Sequence, residues 1–148
     1  MSLLQPPRLP EIDPHARIAS PRTIAVVDTL PGAPIVPHLA STPGAIRARL
    51  LVRHKPGFDL QTETSAAAHP DALLEAARAL LASLPKHALV IAEGPALLAC
   101  LTPSFAVLGT LSPSLTALDP DVRALRDRFD LVLFDHRPRV LDALVRSV

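Results

Sequence analysis

Four short apolar runs, TIAVV (residues 23–27), ALVIA (88–92), FAVL (105–108) and DLVLF (130–134), constrain this chain more than any other feature. They lack the polar alternation of a strand with one wet face, so each reads as a strand covered on both sides. Helical patterns lie between them. The clearest is DALLEAARALLASL (71–84), where Leu73, Leu74, Ala77, Leu80, Leu81 and Leu84 share one face and Pro85 ends the helix. A second helical stripe runs through Val140, Leu141, Leu144, Val145 and Val148, with Pro138 at its start. A fifth strand is expected at ARLLV (48–52), and residues 122–128 read as helical. Residues 59–70 read as a polar connection after the turn HKPGFD. Strands of this kind separated by helices predict parallel pairing. The expectation is a three-layer α/β/α sandwich with about five mostly parallel strands.

Residues 1–21 carry five prolines and no period, which predicts an extended arm ahead of one α/β domain spanning 22–148. The whole chain has 148 residues and a formal charge of +1, with its arginines dispersed. A nucleic-acid partner is therefore disfavoured, the more so because Trp and Tyr are absent and aromatic stacking platforms with them. Cys100 is the only cysteine, so a disulfide framework is excluded and a buried, inert thiol in a reducing cytoplasm is expected. No uninterrupted apolar stretch is long enough to span a bilayer, which disfavours a membrane partner. The six histidines show no zinc-binding spacing; His54 and His136 lie near predicted strand ends and read as surface residues. The chain contains no G-x-S-x-G and no G-x-G-x-x-G.

The turn after the first strand, AVVDTLPGAPIVPHLA, is where a sheet of this kind offers a ligand site. Its order of strand, Gly/Pro turn and short helix resembles P-loop NTPases. The later run VIAEGP, followed by TPSFAVLG, resembles the molybdopterin-guanine dinucleotide B family. The resemblance covers most of residues 22–148 and implies a nucleotide-hydrolase-like scaffold. Laid over G-x-x-x-x-G-K-[ST], however, the loop has Asp28 and Ala33 in place of the glycines, Pro34 for the lysine and Ile35 for the Ser/Thr. Asp28 brings negative charge to an anion site, and Pro34 removes both a backbone N–H and an ammonium. Gly32 is the loop's remaining glycine. Nucleotide binding in the P-loop manner is not expected.

Three carboxylates end apolar strands: Asp28, Glu93 and Asp135. Converged at one rim, they would suit Mg²⁺ or Mn²⁺ and phosphoryl-transfer chemistry. Equally, a polar residue ends a strand where the chain leaves the core, and Asp caps the turn that follows. The C-terminal part, over about 60 residues, also resembles a Toprim domain through VIAEGP, VLGTLSP and LFDHRP, with Glu93, Gly109, Thr110 and Asp135 in order. That resemblance implies a Mg²⁺ on Glu93 and Asp135, although Arg137 stands where the family has a second Asp. Arg137 and Arg139, at the start of the last helix, form a candidate anion pair.

Two readings of function follow. One is a catalytically degenerate α/β domain that binds a ligand, a protein partner or a second copy of itself. The other is a Mg²⁺-dependent phosphoryl-transfer or Toprim-like nucleic-acid enzyme using Glu93 and Asp135, with Asp28 as a third ligand.

Overall fold

The computed structural model describes residues 9–53, 64–67, 69–111 and 118–148. The turn expected at residues 54–59, with His54, lies outside them. Among the described residues six parallel strands form one sheet in the order β3-β2-β4-β1-β5-β6. They are β1 (Ile18–Asp28), β2 (Ala45–Arg53), β3 (Thr64–Ala67), β4 (Leu89–Glu93), β5 (Leu101–Gly109) and β6 (Leu131–Leu133). Five helices among the described residues cover the sheet: α1 (Ile35–Ala40), α2 (Pro70–Ala82), α3 (Pro95–Cys100), α4 (Pro120–Ala124) and α5 (Pro138–Ser147). The chain folds as a three-layer, Rossmann-like α/β/α sandwich.

The two faces of the sheet follow from the strands' two-residue period. Ile24, Val26, Ile91 and Val107 pack under Ile35, Leu39, Leu141 and Leu144 of α1 and α5. Ala25, Ala48, Ala92 and Ala106 face the other way, beneath Leu73, Ala77, Leu97 and Leu98 of α2 and α3. Alanines on that face let α3 sit close to the strands, and every residue from Ala96 to Cys100 is buried. The connection β1–α1–β2 moves one way across the sheet, while those through α2, α3 and α4 move the other way. Right-handed crossovers require the two directions to use opposite faces, as they do.

Two segments differ from the sequence reading. The connection expected at 59–70 contains a sixth strand, β3, paired in parallel with β2 from Leu50↔Thr64 to Arg53↔Ala67. Its TSAA sequence carries too few large apolar residues to announce a strand. The expected arm contributes to the domain from Leu9 onward: Ile12 is buried among the residues around α3, and Leu9 N–H donates to Asp121 Oδ1 at 2.8 Å. β1 itself begins at Ile18, where Ile18–Ser20 pairs with Leu101–Pro103. Pro21, the last proline of the expected arm, lies at a register shift between Ser20 and Ile24. Arg22 there has φ 56°, and its N–H donates to Ser104 Oγ.

Candidate functional site

β1 lies at the centre of the sheet, between β4 and β5. Its carboxyl end, with that of β4 and the middle of β2, opens onto a cavity of about 440 Å³ lined by Asp28, Gly32, Ala33, Arg47, Arg49 and Glu93, among others. Such a crevice beyond the carboxyl ends of parallel strands is the usual ligand position of open α/β sheets.

The loop that forms one wall is organised by Asp28. Its Oδ1 accepts the Leu30 N–H at 2.9 Å, and its Oδ2 accepts the Ile35 N–H, the first of α1, at 2.8 Å. Both carboxylate oxygens are thus engaged with the backbone donors that a bound anion would otherwise use. Pro34 at the N-cap brings no N–H of its own. The loop closes on itself through Ala33 N–H to Leu30 O, with Ala33 at φ 43°. Thr29 fastens it to β5, donating to Gly109 O from both its backbone N–H (2.8 Å) and its hydroxyl (2.7 Å).

Gly109 belongs to this arrangement for a steric reason. A Cβ there would lie 2.7 Å from Asp28 Oδ1 and 2.6 Å from Ile35 Cδ1. A glycine at this point of β5 is what lets the carboxylate tuck beneath the loop. Thr110, next along, is buried, and its N–H donates to Leu133 O.

Across the cavity Glu93 receives a two-pronged bond from Arg47, with Nη2 to Oε1 at 2.8 Å and Nε to Oε2 at 3.2 Å. That bond raises the Arg47 pKa above its ordinary value, against a smaller opposing effect of burial. Arg47 and Arg49 alternate along β2 with Ala48 and Leu50, which are buried against the opposite layer. Neither arginine is prominent in the sequence reading, although R-x-R inside an apolar strand is a period-two signal of one charged face. Gly94, at φ 91°, turns the chain from β4 into α3 and donates its N–H to Val26 O. That backbone conformation favours glycine.

Asp28, Gly32 and Glu93 therefore share one cavity. Asp135 and Arg137 do not join them: they line a separate surface depression beside β6, with Phe134 and Val140. Two strands, β1 and β5, separate β4 from β6, so Glu93 and Asp135 are some three strand spacings apart, roughly 14 Å. Asp135 is paired with Arg137 Nε at 2.5 Å, and both side chains are exposed. Among the described residues no group of three or more His, Cys, Asp or Glu side chains is placed to hold a metal ion. His136 is exposed, its ring edge-on to His38 at 5.1 Å, and His38 Nε2 lies 2.8 Å from Asp142 Oδ1. Cys100 is fully buried, and burial pushes its thiol up to about 11 against a smaller opposing effect of Arg128. Among the described residues no helix is long and apolar enough to cross a membrane.

No protein-family description, no curated protein and no solved structure matches the chain. The fold and the site rest on their own geometry.

Proposed function

We propose that this chain is a binding or protein-partner module of the cytoplasm, built on a nucleotide-hydrolase-like α/β scaffold that does not hold nucleotide in the P-loop manner. The observation that carries this reading is the position of Asp28, whose two oxygens satisfy the Leu30 and Ile35 N–H groups at 2.9 and 2.8 Å. An incoming phosphate would meet a carboxylate instead of free donors, and like charge at that distance opposes it. What the cavity offers instead is both signs of charge at one mouth, Arg47 and Arg49 facing Asp28 and Glu93. With Asp28 and the Arg47–Glu93 pair already satisfied from within, that mixed lining does not favour a polyphosphate.

Thermal melting followed by circular dichroism tests it, since a ligand bound to the native state raises the midpoint. Mg²⁺-ATP and Mg²⁺-GTP at about 5 mM should leave the midpoint where Mg²⁺ alone leaves it. A rise with either nucleotide, accompanied by amide shifts confined to residues 28–35, would overturn the proposal.

A further inference from the structure

The opposite end of the sheet holds a second cavity of about 450 Å³, lined in part by Leu9, Glu11, Arg17, Asp127 and Arg128. Arg17 stands just before β1, and Arg128 ends the 3₁₀ turn Arg126–Arg128 ahead of β6. Both side chains are half-buried. The Arg17 Nε–H and the Arg128 Nη1 are shielded from solvent and meet no acceptor among the described residues. Arg128 Nη2 does have one, the Leu101 carbonyl. The two cations are near enough that Arg17 lowers the Arg128 pKa, adding to the larger effect of burial, with Asp130 opposing.

Two like charges near each other, each with a shielded donor that meets no acceptor, form an arrangement that the described residues compensate only in part, through the Leu101 carbonyl and Asp130. Both side chains line the cavity. We propose that this cavity is a binding site for one small oxyanion, phosphate or a carboxylate, held between the guanidiniums of Arg17 and Arg128. Planar guanidinium forks match such an anion in geometry as well as charge. Three carboxylates, Glu11, Asp121 and Asp127, line the same cavity and set the upper limit on charge: they oppose a nucleoside triphosphate or a nucleic-acid backbone more strongly than a single oxyanion.

The test is a titration of the full ¹⁵N-labelled chain with inorganic phosphate, and separately with acetate, at constant ionic strength, following the arginine Nε–Hε signals. The expected result is a saturable shift of the Arg17 and Arg128 signals with at least one of the two anions. Arg17→Gln should weaken that binding by about tenfold or more, while its thermal midpoint in anion-free buffer stays equal to or above wild type because a repulsion is relieved. Arg128→Lys, which keeps the charge and loses the fork, should weaken it as well. No saturable shift with either anion up to about 20 mM, or undiminished affinity in Arg17→Gln, would overturn the proposal. Binding that survives Arg17→Gln but moves the amides of residues 28–35 would overturn both this site and the Asp28 reading. Loss of binding in Arg17→Gln leaves the Asp28 reading intact.

Discussion

Replacing Gly109 by alanine probes the contact on which the loop depends. The added Cβ would lie 2.6 Å from Ile35 Cδ1 and 2.7 Å from Asp28 Oδ1, with Leu30 Cδ1 at 3.2 Å. Ile35 has no exposed surface and cannot swing outward, so the strand, the loop or the carboxylate must move. Forcing a methyl into a packed site of this kind costs about 1–3 kcal/mol. Displacing Asp28 also loosens its bonds to Leu30 and Ile35, each worth about 1–1.5 kcal/mol net. The stiffer unfolded chain returns about 0.5–1 kcal/mol to the variant. The balance is a loss of about 2–5 kcal/mol, a large part of the total stability of a domain this size. Urea denaturation followed by far-UV circular dichroism measures it, since the chain has neither Trp nor Tyr to report by fluorescence. The sharper check is a double-mutant cycle with Asp28→Ala. Once the carboxylate is gone, the Oδ1 clash and both bonds go with it, so Gly109→Ala should cost at least about 1 kcal/mol less in that background. Equal costs in the two backgrounds would refute the account, and so would a Gly109→Ala variant within about 0.5 kcal/mol of wild type.

Cys100 should resist thiol reagents in the folded protein and react after unfolding, because its thiol is buried and pushed up to about 11. Between the ordinary thiol value of 9.0 and about 11 the unfolded chain sheds this proton and the native state keeps it. Stability must therefore fall as pH rises through that window, by about 2 kcal/mol more in wild type than in Cys100→Ala. The Arg47–Glu93 pair has side-chain exposures of 52% and 21%, so Arg47→Gln should cost no more than about 1 kcal/mol in chemical denaturation. About 1 M salt should shrink that difference. Leu97→Ala, at a fully buried position in α3, should cost about 2–5 kcal/mol, while Val132→Ala, 41% exposed on β6, should stay within about 0.5 kcal/mol by the same measurement.

The layers of this protein are written in local pattern. TIAVV, ALVIA and FAVL appear as strands because burial on both faces demands apolar residues, whereas DLVLF supplies an edge strand that leaves Val132 and Phe134 exposed. The 71–84 stripe appears as α2 because its period is that of a helix. That Pro34 denies the loop a backbone N–H is likewise visible in the sequence alone. By contrast, β3 and the first third of β1 depend on partners distant in the chain. Thr64–Ala67 is a strand because β2 offers it a ladder, and Ile18–Ser20 because β5 begins beside it. Which carboxylates meet is also a matter of strand order. The sheet puts β4 next to β1 and sends β6 to the far edge, so Glu93 shares a cavity with Asp28 while Asp135 pairs locally with Arg137. Local pattern sets which segments are strands and helices, because burial and backbone geometry act residue by residue. Strand order comes from long-range pairing and crossover handedness, and that order decides which of these charges face one another.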